Sequence, residues 1–127
     1  MTCELPLRTL LVDDSREFLE RLEKWLVRHS GFEIVGRAYS GLEAIKEVSA
    51  VRPDLVMMDV AMPLMNGYEA ALKIKEGAHR PIVILISFFD RSETSELADS
   101  QVDAFLKKDS LYEHLLPTLA RLFPERY

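Results

Sequence analysis

Short apolar runs alternate five times with stretches whose apolar residues recur at helical spacing. The runs are Thr9–Val12, Phe32–Val35 (interrupted by Glu33), Leu55–Met58, Ile82–Ile86 and Ala104–Leu106. Leu55–Met58 and Ile82–Ile86 are continuously apolar, which predicts central strands covered on both faces. Glu33 between Phe32 and Ile34 predicts a strand nearer the sheet edge, with one side chain reaching solvent. Between the runs, Leu19, Leu22 and Leu26 form one helical stripe and Leu42, Ile45 and Val48 a second. Leu111, Leu115, Leu119 and Leu122 form another near the C-terminus. Five strand-then-helix units predict an α/β fold: a parallel sheet with right-handed crossovers and helices on both faces.

The helix starts are marked in the sequence. Ser40 with Glu43, and Asp90 with Glu93, stand at capping-box spacing or close to it, and Asn66-Gly67 opens the third helical stretch. Pro53 and Pro81 precede strands, where a missing N–H does little harm. Arg91–Ser100 has only Leu97 and Ala98 as apolar residues, so a helix there is expected to pack weakly and move easily. Pro117 falls within the last stripe, which predicts a late helix start or a bend.

Composition narrows the class. The 127 residues are 48% apolar and 29% charged, as in an ordinary soluble domain, and the length suits a single domain over residues 1–127. Cys3 is the sole cysteine, so no internal disulfide is available and a reducing, cytoplasmic setting is expected. The net charge of −5 runs against direct nucleic-acid binding. No apolar run approaches a membrane span, and Glu4 and Arg8 disfavour a signal peptide.

In open parallel sheets, ligands bind outside the carboxyl ends of the strands. Here the first strand runs into Asp13-Asp14, the third into Asp59, the fourth into Ser87 and the fifth into Lys107-Lys108. A helix N-cap accounts for any one of these aspartates. It leaves unexplained why an apolar strand ends in two adjacent carboxylates. Crowded carboxylates repel unless a cation intervenes, and hard oxygen ligands with positions left for water suit Mg²⁺. A lysine supplies a point charge for a phosphoryl group. Three scattered histidines (His29, His79, His114) and one cysteine lack zinc-ligand spacing. The turn after the first strand holds no glycine, which removes the dinucleotide and P-loop fingerprints, and no G-x-S-x-G marks a hydrolase.

These residues resemble the receiver domain of two-component response regulators, from about Arg8 to Phe123. LLVDDS contains Asp13-Asp14, MDVAMPLMNG contains Asp59, Pro63 and Gly67, Ser87 closes the fourth run, and AFLKKD closes the fifth. The resemblance implies a flavodoxin-like, doubly wound sheet of five parallel strands in the order 2-1-3-4-5, with five helices and a core over about 8–123. It implies that Asp59 accepts a phosphoryl group from a histidine kinase or phosphotransfer protein. Asp14 would bind Mg²⁺ directly and Asp13 mostly through water, with Asp59 and the backbone carbonyl of Ala61 completing the protein ligands. Ser87 would hydrogen-bond the phosphoryl oxygen, Phe105 would change rotamer as the switch, and Lys108 rather than Lys107 would be the site lysine. It further implies a non-enzymatic signalling role, apart from the chain's own phosphorylation and dephosphorylation. A homodimer through the face of the fourth helix, fifth strand and fifth helix is allowed.

Two other classes compete. A Mg²⁺-dependent aspartyl phosphatase of the haloacid-dehalogenase kind needs D-x-D, whereas these aspartates are adjacent. A receiver-like interaction module working without phosphorylation leaves the full set of site residues without purpose. The AFLKKD ending is similar to receivers that precede helix-turn-helix output domains, so both a stand-alone and an excised receiver are compatible with the chain. One departure stands out: most receivers place a small residue after the Ser/Thr, but Ser87 is followed by Phe88 and Phe89. Strand alternation tucks one ring inward and turns the other towards the site or solvent, where it would act as a lid. Ala61 offers no polar side chain to position an attacking water. Both features predict slow loading and a long-lived phosphoryl group.

Overall fold

A computed structural model describes residues 6–29, 31–88 and 102–125 of the chain. The elements run β1 (Leu7–Val12), α1 (Arg16–Val27), β2 (Phe32–Ala38), α2 (Gly41–Val51), β3 (Leu55–Asp59), α3 (Gly67–Lys75), β4 (Ile82–Ser87) and β5 (Ala104–Lys107). A 3-10 turn over Lys108–Ser110 then leads into α4 (Leu111–Leu122). The five strands are parallel and ordered β2-β1-β3-β4-β5, the arrangement expected. Among the described residues there are four α-helices against five anticipated. The helix anticipated over Arg91–Ser100, its Asp90–Glu93 start and Phe89 lie outside the described residues.

Alternation along the central strands explains the layering. Leu10, Val12, Val56, Met58, Val83 and Leu85 point to one face and pack with Ala44 and Val48 of α2 and Ala70, Ala71 and Ile74 of α3. Leu7, Leu11, Leu55, Met57, Ile84 and Ile86 point to the other. There they meet Leu19, Leu22 and Leu26 of α1 and Leu111, Leu115 and Leu119 of α4. Full burial of each such leucine contributes about 1.5–3 kcal/mol, so these two layers hold the strand ends in place.

The caps follow the polar spacing. Ser40 Oγ accepts the Glu43 N–H at 3.1 Å, and Glu43 Oε1 accepts the Tyr39 N–H at 2.9 Å. Asn66 and Glu69 form a complete capping box at the start of α3. Ser15, not singled out from the sequence, caps α1 through the Phe18 N–H. At the opposite end of the sheet, Lys75 Nζ donates to the Pro81 carbonyl at 2.7 Å and to Asp103 Oδ2 at 2.8 Å. The same Asp103 oxygen accepts the Val83 N–H at 2.8 Å, joining α3, β4 and the approach to β5.

Three expectations need correction. The α2 stripe is carried by Gly41, Ala44 and Val48 with Ile45 half-buried, while Leu42 is 56% exposed. The helix comes within contact of Met65 at Gly41, where a larger residue would clash, so the inward face is set by small residues. The last helix does not start late: it begins at Leu111 with Pro117 inside it. Burial of Leu111, Leu115 and Leu119 outweighs the ~3 kcal/mol that an internal proline costs. Finally, β2 continues past Val35 to Ala38, because the ladder with β1 shifts register between Thr9 and Leu10.

Gly67 fixes the loop that follows Asp59. A Cβ there would lie 2.5 Å from the Asp59 carbonyl oxygen and 3.0 Å from Val60 Cα, both backbone atoms that cannot swing aside. Gly67→Ala is therefore expected to lower stability by about 1–3 kcal/mol in urea unfolding. Gly36→Ala, whose Cβ meets only side-chain atoms, Glu47 Oε1 at 3.0 Å and Leu10 Cδ1 at 3.2 Å, serves as the milder control. Equal stability of Gly67→Ala and the parent chain would show that the loop has slack.

Candidate functional site

The carboxyl ends of β1, β3, β4 and β5 open onto one edge of the sheet. The Asp13 N–H continues the β1–β2 ladder by donating to the Ala38 carbonyl at 3.1 Å, which sets the aspartate directly beyond Val12. Asp13 is buried, and its Oδ1 accepts the Ser15 N–H at 2.8 Å. Asp14, the next residue, is exposed. Asp59 is the last residue of β3 and is 6% exposed. One carboxylate oxygen from each of Asp13, Asp14 and Asp59 lies within 4.8 Å of the others.

Lys108 reaches into this cluster. Its Nζ stands 2.8 Å from Asp13 Oδ2 and 3.4 Å from Asp59 Oδ1. The Asp13 Oδ2 contact is an ion pair without the direction of a hydrogen bond, so this buried oxygen keeps unspent acceptor capacity. Lys107 turns the other way, to within 4.0 Å of the exposed Asp109. Period-two alternation at the end of β5 thus sends only Lys108 to the carboxylates. Its ammonium also lies 4.2 Å from the Phe18 ring centroid and 5.0 Å from that of Phe88.

The remaining sequence candidates are near but distinct. Ser87 ends β4 and is buried beside Lys107 in register. Phe105 on β5 is half-buried and packs against the α2–α3 layer. Ala61 is exposed in the loop after β3. Phe88 turns outward and is 66% exposed, which matches the anticipated solvent- or site-facing ring. The sequence reading missed Phe18. Asp14 precedes the Ser15 N-cap, outside the helix, so helical spacing offered no signal for it.

Electrostatics make the cluster unstable by itself. Burial, followed by the neighbouring Asp13 charge, pushes Asp59 from 3.8 up to about 6, against the opposing pull of Lys108. Burial also raises Asp13, with Lys108 and the Ser15 N–H opposing it. Three ionised carboxylates and one ammonium leave two negative charges at the edge, the deficit a divalent cation would cancel. Hard oxygen donors, one of them with spare acceptor capacity, fit Mg²⁺.

A native carboxylate with a raised pKa binds protons more tightly than the unfolded chain does. Stability from Asp59 is thus highest below about pH 4 and falls as pH rises towards 6. At pH 7 without divalent cations, Asp59→Asn is expected to stabilise the fold by about 1–3 kcal/mol. Chemical unfolding of both proteins between about pH 4.5 and about pH 7.5 checks this. Parallel stability curves for the two would overturn it.

Residues 9–120 match the response regulator receiver domain family. The transcriptional regulatory protein PdtaR of Mycobacterium tuberculosis is 36% identical over 116 residues, covering 91% of this chain and 56% of that protein. A protein-glutamate methylesterase/protein-glutamine glutaminase of Alkalilimnicola ehrlichii is 32% identical over 106 residues, covering 82% of this chain and 27% of its own length. The chain thus spans about a quarter to a little over half of these relatives. Among solved structures, the signal receiver domain of NarL from Mycobacterium tuberculosis superposes with a TM-score of 0.82 at 27% identity, covering 92% of this chain and 95% of that one. A chain of the CheX–CheY–BeF3–Mg²⁺ complex from Borrelia burgdorferi gives 0.83 at 25% identity, covering 94% and 90%. With its strand order, its acidic edge and a family match running from β1 into α4, the chain belongs to the response regulator receiver domain family.

Proposed function

We propose that Asp59 is the phosphoacceptor of a two-component signalling receiver spanning residues 1–127. The observation that carries this is the convergence of Asp13, Asp14, Asp59 and Lys108 at one sheet edge. In the transfer, an Asp59 carboxylate oxygen attacks the phosphorus of a phosphohistidine on a histidine kinase or phosphotransfer protein. The P–N bond breaks, and the imidazole nitrogen leaves with the electron pair. The product is an acyl phosphate on Asp59.

In this reading Asp14 would hold Mg²⁺ directly and Asp13 mostly through water, and Asp59 and the Ala61 carbonyl would complete the protein set. When bound, the cation offsets the repulsion between these carboxylates and the phosphoryl oxygens. Lys108 provides the remaining positive charge on the chain itself, already within 3.4 Å of Asp59. Ser87 hydrogen-bonds the phosphoryl group from the end of β4, and Phe105 on β5 repacks with it. The added charge and acceptors favour a conformer in which Ser87 and Lys108 close on the group. A copy of the chain or a partner docks through the face that includes β5 and α4. The role is signalling rather than turnover of a substrate, in the cytoplasm and without nucleic-acid contact. No helix among the described residues is long and apolar enough to cross a membrane.

Incubation with a histidine kinase or acetyl phosphate and Mg²⁺, followed by intact-protein mass spectrometry, tests the reading. One phosphoryl group is expected on the parent chain and none on Asp59→Asn or Asp59→Ala, both folded by circular dichroism. Undiminished loading of the Asp59 variants would remove this residue from the role. Turnover of phosphate without accumulation would favour an aspartyl phosphatase.

A further inference from the structure

Lys108 is held by more than its carboxylates. Phe18, in the first turn of α1, and Phe88, just beyond β4, stand with ring centroids 4.2 and 5.0 Å from its ammonium. Both distances lie within the ~6 Å over which a ring face attracts a cation. The lysine side chain is 8% exposed, so the attraction acts where water screens it little. The two rings differ in exposure. Phe18 is half-buried against the α1–α4 layer, whereas Phe88 leaves 66% of its surface in solvent. An aromatic residue that exposed is not kept in place by core packing.

We infer that Phe18 and Phe88 form an aromatic clamp on the Lys108 ammonium, in which Phe88 is the movable jaw and a positioning residue that slows phosphoryl transfer to Asp59. The inference rests on the phosphoacceptor reading of Asp59. Its physical content is specific. The clamp ties the ammonium to Asp13 and Asp59, and the charge must leave the rings to follow an incoming phosphoryl group. Holding Lys108 in this ground-state position therefore raises the barrier. A purely steric lid would instead depend on the bulk at residue 88 and not on its π face. The neighbouring Ser87 adds a consequence: a Ser87 that moves towards a phosphoryl group carries the backbone of Phe88 with it.

Phe88→Leu keeps bulk and removes the π face, Phe88→Ala removes both, and Phe88→Tyr keeps both. With acetyl phosphate and Mg²⁺, the Asp59 oxygen attacks phosphorus and acetate leaves with the electron pair of the broken P–O bond. Loading is expected to quicken roughly two- to five-fold in Phe88→Leu and Phe88→Ala, the scale of one cation–π contact, with Tyr restoring the parent rate. A second readout needs neither metal nor phosphoryl group. In the parent protein the ring currents shift the Lys108 Hε protons upfield in the NMR spectrum, and Phe88→Leu moves them downfield while Phe88→Tyr does not. Leu matching the parent in rate, or unchanged Lys108 shifts in Phe88→Leu, overturns the clamp. Failure of the parent chain to load from any donor overturns the phosphoacceptor reading and with it the effect on transfer. The Lys108 shifts then still decide whether the rings hold the ammonium.

Discussion

One ammonium among three carboxylates is the constraint on which the rest of this molecule turns. Lys108 sits 2.8 Å from Asp13 and 3.4 Å from Asp59, yet it cannot neutralise the edge alone. Burial makes the shortfall matter, since charges that water would screen instead act on one another. Burial and the neighbouring Asp13 charge raise the pKa of Asp59 as a result. A site built this way is receptive to added positive charge and resistant to added negative charge. Under the proposed phosphoacceptor role, loading of Asp59 would then depend on a compensating cation.

The sheet produces this crowding from simple materials. β1 lies between β2 and β3, so its end faces the end of β3 directly. Thr9 to Val12 pair in register with Leu55 to Met58, which sets Asp13 opposite Asp59 one step later. Apolar side chains on both faces of β1, β3 and β4 fix the strand positions. The charged residues at their ends are displayed at the expense of local comfort, and the two apolar layers absorb the cost. The close approach of Gly67 to the Asp59 backbone holds the loop after β3 against the same edge.

Much of this was legible in the sequence, and the failures have physical causes. Continuous apolar runs located β3 and β4, and polar residues at run ends located Asp13, Asp14, Asp59 and the pair Lys107-Lys108, of which the family resemblance alone picked Lys108. β2 was cut short at Val35 because a bulge changes the phase of the strand. Phe32 and Ile34 face the α1–α4 layer, whereas Ala38 faces the α2–α3 layer. A period-two pattern cannot survive such a switch. Leu42 was assigned inward because leucine outranks alanine in hydropathy, but the close approach of α2 at Gly41 leaves room only for small residues. Pro117 suggests a late start or a bend, and the early start at Leu111 reflects three leucines buried along the helix, to which local propensity is blind. Phe18 escaped notice because its partner is the ammonium of Lys108, in the turn after β5 and far along the chain, and single-element periodicity carries no such information.

The knot formed by Lys75, Pro81, Val83 and Asp103 gives the molecule a mechanical polarity. One carboxylate oxygen there accepts from both an ammonium and a strand N–H, tying α3, β4 and the entry to β5 at the amino end of the sheet. The sheet then behaves as a cantilever, pinned at its root and loaded at its tip. Forces created by a new charge at the tip find the root already fixed, so displacement concentrates where β4 and β5 end.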